Sequence, residues 1–240
     1  MKDITEYNIE TYEHFWGYAH YQPPERTPWW PLMKEFSEKA PDRLEIGPGP
    51  YPKLPMSGTH VVDLSQRALE MLAHEGAIVH HGLLHQIGFP DASFDLVALF
   101  EVLEHIEDDV GMLNELARIT RQGGWLVASV PMRMKNYTAW DDFSGHVRRY
   151  EHDELHCKLE DAGFVMNRFE IRPGTVGPIG RLWADYFVYQ TRRFPRFSLW
   201  VFERLLLAAM SHFRAVWRDP AEWDKWGPRG FGCTVVCKRI

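Results

Sequence analysis

A mostly parallel, doubly wound α/β sheet is the fold class that this 240-residue sequence predicts. Three observations carry that expectation. Leu44-Glu45-Ile46 reads as a short strand running into Gly47-Pro48-Gly49, where two glycines at alternate positions let a backbone loop pass close to a ligand. Strand-like and helix-like segments then alternate as far as residue 131, which implies parallel strands with helices on both faces. Phe94 to Phe100 is a continuous apolar run, the pattern of a central strand buried on both sides. In open sheets of this class, ligands bind at the carboxyl edge of the strands.

Residues 1–40 precede the first strand as an N-terminal helical cap. Tyr7, Tyr12, Phe15, Trp16 and Tyr18 are interleaved with polar residues until Pro23-Pro24 breaks the run. Trp29 to Phe36 reads as a helix with Pro31 in its first turn. A lid over the site and a helix packed on the sheet both suit this segment. Over the core, 41–172, His60 to Ser65 reads as a second buried strand ending in Asp63, Gln66 to Glu75 as a helix and Ala77 to His80 as a third strand. His80, His81 and His85 match neither a helical pair nor a zinc pattern, and no metal site is read. Pro90-Asp91 turns the chain into the fourth strand, Phe94 to Phe100. Val110, Leu113, Leu116, Ala117 and Ile119 mark an amphipathic helix that stops at Arg121-Gln122-Gly123-Gly124. Trp125 to Pro131 is the fifth strand. Met132 to Gly145 has no clean period and is expected to be loop above the carboxyl edge. Glu154 to Ala162 is the next helix, Phe164 to Arg172 the sixth strand and Phe231 to Lys238 the last.

The glycine pair alone would equally suit a surface turn. A dinucleotide fingerprint would place a third glycine at position 52, where Pro52 stands. Leu44 to Gly49, the acid Asp63, and the run Phe94 to Phe100 followed by Leu103-Glu104-His105 together resemble the class I S-adenosylmethionine-dependent methyltransferases of the small-molecule, type 11-like kind. That resemblance implies a seven-stranded, Rossmann-like sheet whose last strand runs antiparallel beside the fifth. It implies S-adenosylmethionine as cofactor, with Glu45, Gly47 and Gly49 at its methionine end and Asp63 on its ribose. Leu64 and Leu83 would flank the adenine, with Phe100 at the edge of strand four. The family commonly carries an acid near the adenine, where this chain has Gly82-Leu83. Gly145-His146-Val147-Arg148-Arg149-Tyr150 resembles a run that small-molecule members carry after strand five. His146 and His105 are the candidate bases, since imidazole titrates near neutrality. Helix capping by Arg148 and Arg149, and a hydrogen bond within the helix start for His105, are the plainer alternatives.

The chain departs from the family where 174–228 separates the last two strands. Leu182, Trp183, Tyr186, Phe187 and Tyr189, then 197–217, predict two helices there. Glu203, Arg204, His212 and Arg214 exclude the ~20-residue apolar span that a membrane crossing requires. Two readings stay open: a roof over the acceptor pocket or homodimer surface, and an arginine- and aromatic-rich face in peripheral contact with a membrane. Residues 168–218 hold nine Arg and three acids, on a chain of net charge −6 that argues against general nucleic-acid binding. Cys157, Cys233 and Cys237 form no disulfide framework, and residues 1–10 lack an apolar signal core; both features suit a cytoplasmic protein. The chain as a whole reads as one methyltransferase domain. Its acceptor is expected to be a small molecule or lipid-linked metabolite, methylated at oxygen or nitrogen. The run Leu99-Phe100-Glu101-Val102 differs from the Asn- or Asp-Pro-Pro-aromatic run of base-amine methylating members. A nicotinamide-dependent oxidoreductase, disfavoured by Pro52, and a cofactor-binding module without activity are the alternatives from other classes.

Overall fold

Two-sided burial sets the layering. Val61, Val62 and the run Leu96 to Leu99 are almost wholly removed from water, and so are Leu126, Val127 and Ala128, so the strands that hold them need cover on both faces. The computed structural model describes residues 4–173, 177–193, 216–226 and 230–240. It supplies that cover with helices. The strands are β1 (Arg43–Ile46), β2 (His60–Asp63), β3 (Ile78–His81), β4 (Phe94–Phe100), β5 (Thr120–Pro131), β6 (Phe164–Pro173), β7 (Trp217–Arg218) and β8 (Gly230–Arg239). They form one sheet in the order β3-β2-β1-β4-β5-β8-β6-β7. Strands β1 to β5 are mutually parallel, and β8 runs antiparallel to both β5 and β6.

The helices are α1 (Ile4–Trp16), α2 (Trp30–Ser37), α3 (Gln66–His74), α4 (Leu84–Ile87), α5 (Asp109–Ile119), α6 (Ala139–Ser144), α7 (His152–Asp161), α8 (Pro178–Arg193) and α9 (Trp223–Trp226). On one face Leu32, Met33 and Phe36 of α2 and Leu69 and Leu72 of α3 pack on Val61, Leu96, Ala98 and Val127. On the other, Leu113 and Leu116 of α5 and Leu155 and Leu159 of α7 pack on Val97, Leu99, Leu126 and Ala128. The alternating strand residues thus divide between two cores, which is the doubly wound arrangement. Ser65 and Asp108 cap α3 and α5 by accepting from the amides of Ala68 (3.2 Å) and Gly111 (2.9 Å). Cys233 and Cys237 share one face of β8 and are both buried.

Three sequence expectations change. The sheet has eight strands rather than seven, because Trp217–Arg218, inside the segment expected to be helical, pairs antiparallel with Phe169 and Glu170. Two residues are too few to show a period of two, but they cover the outer edge of β6. Met132 to Gly145 is not plain loop: it holds a 3-10 turn, Met134–Asn136, and α6. Six helical residues cannot show a 3.6 period. Their signal is the capping box, in which Thr138 accepts from the Trp140 amide and Asp141 from the Thr138 amide. The N-terminal cap divides in two, with α2 in the sheet core and α1 over the carboxyl edge. Of the insertion, α8 buries Val188 against Phe15 and Phe143 while exposing Ile179, Leu182, Trp183, Tyr186 and Tyr189. The second expected helix falls mainly on 194–215, outside the described residues. Among the described residues no helix is long and apolar enough to cross a membrane.

Leu126 sits at zero exposure between β4 and β8 and shares its core with α5 and α7. Leu126→Ala is expected to lower the unfolding free energy by about 2–5 kcal/mol. Urea denaturation would read this as a lower midpoint at unchanged slope.

Candidate active site

The loop after β1 is bare backbone by necessity. Gly47 and Gly49 have φ of 60° and 55°, where side chains are disfavoured. A Cβ on Gly47 would lie 2.8 Å from Val102 Cγ2, and one on Gly49 would lie 2.8 Å from Trp16 Cζ2. The Gly47 amide donates to the Val62 carbonyl at 2.8 Å, and the Gly49 amide donates to Asp63 Oδ2 at 2.9 Å. Asp63 Oδ1 accepts from the Ser65 amide at 2.8 Å. The carboxyl edges of β1 and β2 are therefore joined through one carboxylate. Burial raises the Asp63 carboxyl above its usual range, against the lowering pull of the Ser65, Gly49 and Leu64 amides.

A cleft of about 1010 Å³ opens over this edge, lined among others by Gly47, Asp63, Leu64, Leu83, Phe100, His105 and His146. An ionised carboxylate accepts about four hydrogen bonds. The Gly49, Ser65 and Leu64 amides still leave Asp63 acceptor capacity for a ribose hydroxyl, and Leu64 and Leu83 supply apolar walls. Gly47 on the floor and this acid suit S-adenosylmethionine, while Gly49 stands outside the lining, buried against Trp16. Where the resemblance expects the adenine, the cleft is lined by Gly82, Leu83, Leu84 and His85.

Glu45 lies beneath this cleft rather than in its lining. Its carboxylate accepts from the Lys53 amide (2.8 Å) and the Leu54 amide (2.9 Å) and so fixes the loop that follows the glycines. Burial pushes its pKa up to about 7, with Lys53 and the two amides pulling the other way.

The opposite wall comes from the turn after β4 and from the α6 segment. His105 Nδ1 is 3.2 Å from the Gly145 carbonyl, and His146 Nδ1 is 2.8 Å from Asp141 Oδ1. A carbonyl and an ionised carboxylate only accept, so both imidazoles carry their proton on Nδ1. The rings meet edge to face at 4.7 Å. Burial, then the neighbouring His146, lowers the His105 pKa to about 3. Asp141 also receives Arg149 on both oxygens, at 2.8 and 3.1 Å. Burial opposes ionisation there, but the hydrogen bonds from His146 and Arg149 outweigh it and lower the carboxyl to about 2. Behind the imidazoles, Glu104 is wholly buried and neither of its oxygens has a hydrogen-bond partner among the described residues. Burial, then Glu101, raises its carboxyl well above the usual range.

Helix α1 bridges the two walls. Glu13 Oε2 accepts from Ser65 Oγ at 2.6 Å, while the Tyr7 and Tyr12 hydroxyls donate to the carbonyls of Phe143 (2.9 Å) and Ser144 (3.1 Å). Sequence reasoning named His105, His146, Gly47, Asp63, Leu64, Leu83 and Phe100, which the structure brings to one cleft, and offered a lid as one reading of residues 1–40, but it missed Asp141 and Glu104. The Thr138-x-x-Asp141 box was the signal available for Asp141. His80, by contrast, stacks on His60 away from the cleft.

Residues 45–128 match the family described as "Methyltransferase domain". A "Probable S-adenosylmethionine-dependent methyltransferase" of Mycobacterium tuberculosis is 39% identical over 84 residues, which cover 34% of this chain and 31% of that protein. A protein of similar description from Mycolicibacterium smegmatis is 31% identical over 119 residues, covering 43% of this chain and 46% of that one. The matches thus span between about a third and a half of these relatives' length. Among solved structures, a SAM-dependent methyltransferase of Thermotoga maritima, titled a possible histamine N-methyltransferase, aligns with a TM-score of 0.54 at 17% identity over 88% of this chain and 93% of that one. One from Mesorhizobium loti gives 0.54 at 15% identity over 90% of this chain and 100% of that one. The [4+2]-cyclase SpnF also gives 0.54, at 16% identity over 87% of this chain and 78% of that one, so this likeness shows the fold and not the reaction. Through residues 45–128 the chain is thus similar to the methyltransferase-domain family and to proteins described as S-adenosylmethionine-dependent methyltransferases.

Proposed function

We propose that the chain transfers the methyl group of S-adenosylmethionine, by direct displacement, to an oxygen or nitrogen of a small-molecule or lipid-linked acceptor. One observation carries this reading: the glycine loop tied to Asp63 and two oriented imidazoles line the same cleft. The cofactor supplies a methyl group already activated on a sulfonium, so the chain needs no covalent nucleophile of its own. Orientation is then the largest contribution open to the protein, up to ~7–11 kcal/mol in favourable model systems.

In this reading Asp63 accepts from a ribose hydroxyl, Leu64 and Leu83 enclose the adenine, and Phe100 closes the β4 side. Gly47 and Gly49 admit the methionine end, with Glu45 fixing their loop from below. His146 has its Nδ1 proton committed to Asp141, which leaves the Nε2 lone pair to take a proton from the acceptor. Such a base contributes roughly 10²–10⁴-fold. His105, neutral at working pH, holds the acceptor side of the cleft against Gly145. The lipid-linked class is supported by the exposed Ile179, Leu182, Trp183, Tyr186 and Tyr189 of α8, with Arg192 and Arg193 at its end. This face would lie on an anionic membrane surface or on a second copy of the chain.

Calorimetric titration with S-adenosylhomocysteine tests the core of the reading. Wild type is expected to bind, and Asp63→Ala to weaken binding about tenfold or more, as loss of hydrogen bonds to a charged group implies. No binding by wild type would overturn it.

Protonation gives a second expectation. The unfolded His105 pKa is about 6.5 and its folded value about 3, so only the unfolded chain holds this proton between those pH values. The stability from neutral His105 is therefore complete above pH 6.5 and is lost as pH falls through that window. Glu45, raised to about 7, acts in the opposite direction between about 4.5 and 7. Between pH 7 and pH 5 wild type should thus lose stability relative to His105→Gln, and urea midpoints of both proteins at the two pH values would show it. A constant difference between them would refute this.

A further inference from the structure

We propose that Glu104, His105 and His146 form a binding site for a divalent first-row transition-metal cation on the acceptor wall of the cleft. One ligand atom from each of the three lies within 4.8 Å of the others, and Glu104 Oε1 is 3.8 Å from His146 Nε2. Metal–ligand bonds near 2.1 Å bring neighbouring ligand atoms to roughly 3.0–3.5 Å, so a small rotation of these side chains closes the set.

The hydrogen bonds around the cluster point the same way. Each imidazole commits Nδ1–H to an oxygen, Gly145 O for His105 and Asp141 Oδ1 for His146. A ligating histidine is usually oriented in this manner, with its other nitrogen left for the metal. The Tyr12 hydroxyl, 3.5 Å from His105 Nε2, has one hydrogen and gives it to the Ser144 carbonyl at 3.1 Å. Neither Nε2 then receives a hydrogen bond from these neighbours. The Glu104 carboxylate, fully buried, has no donor on either oxygen among the described residues. A buried carboxylate without donors is costly unless a proton or a cation completes it. The two guanidiniums that act on Glu104, Arg172 and Arg149, are already paired with Glu101 and Asp141.

Two imidazoles and one carboxylate select iron, cobalt, manganese or zinc over the all-oxygen sites that magnesium and calcium prefer. His105 and His146 line the cleft while Glu104 stands behind them, so the open coordination positions face the acceptor. The site takes acceptors that present an oxygen ligand. A hydroxyl bound there releases its proton to solvent more readily, keeping the O–H electron pair on oxygen. With the cation seated, His146 Nε2 is a ligand and the cation replaces it in promoting that proton's departure. The role in catalysis rests on the methyltransferase reading, but cation binding does not.

The test is titration of the metal-stripped full chain with Co²⁺, followed by visible absorption and by equilibrium dialysis, with Zn²⁺ and Mn²⁺ in parallel. One Co²⁺ per chain with ligand-field bands is expected. Glu104→Gln and His146→Gln should each weaken binding by at least about tenfold, and S-adenosylhomocysteine titration of both variants checks that the fold survives. No retained metal ion in wild type would overturn the proposal. So would binding that survives Glu104→Gln but is lost in Asp153→Asn, which would move it to the exposed His152–Asp153–Asp224 group. Cofactor-product binding without metal would refute the cation site alone, and metal binding without cofactor product would refute the methyltransferase reading alone.

Discussion

Asp63 holds two amides with one buried carboxylate, and the geometry of the cleft follows from that. Adjacent parallel strands end about 4.8 Å apart, so the loops leaving β1 and β2 would crowd or splay without a shared partner. The Gly49 and Ser65 amides find that partner in Asp63. Once the carboxylate is placed, the positive φ at Gly47 and Gly49 is required, because the turn must bring an amide back over the end of the neighbouring strand. Trp16 then packs where a Cβ on Gly49 would be, and Ser65 turns its hydroxyl to Glu13. Helix α1 is thus fitted to the same turn that lines the cleft.

Asp141 performs the matching task on the acceptor wall. Its oxygens accept from the Thr138 amide, His146 and the Nε and Nη2 of Arg149. These contacts do three things with one side chain: they start α6, hold the His146 tautomer and anchor the strand-like run that follows. Arg149 stacks in turn over Phe231 of β8, which ties the acceptor wall to the antiparallel end of the sheet. The position of His146 therefore depends on contacts made from β8 as well as from its own segment.

Legibility in the sequence followed length and periodicity. Strand β4 shows seven consecutive residues in one pattern and α5 eleven, and both were readable because burial on two faces or on one stripe leaves a repeating signature. The glycine loop and Asp63 were readable because few residue types can perform their tasks. Asp141 and Glu104 were not, since their roles come from contacts brought together in space: Asp141 meets Arg149 eight residues on, and Glu104 faces His146 across 42 positions. Glu45 was assigned to the ligand by resemblance, while its carboxylate is used on the amides of Lys53 and Leu54. Strand β7 is two residues long and exists only because β6 has a free edge.

Glu101 shows how the two walls are kept in step. It has φ of 55°, a conformation that costs a residue with a side chain of order 1–3 kcal/mol. Its amide donates to the Ser129 carbonyl at 3.0 Å, and its carboxylate accepts from Ser129 Oγ and from Arg172, each at 2.8 Å. Arg172 outweighs the effect of burial and holds the Glu101 carboxyl below its usual range. Hydrogen bonds to a charged group contribute about 1.5–3 kcal/mol each, enough to offset the backbone strain. The strained turn therefore persists because β5 and β6 grip it from one side. Its geometry swings the chain directly into Glu104 and His105, so the imidazole wall is positioned by strands that contribute no residue to its chemistry. The long separation of β6 from β8 in sequence is tolerated for the same reason: pairing in the sheet, and not connection along the chain, sets where Arg172 reaches the site.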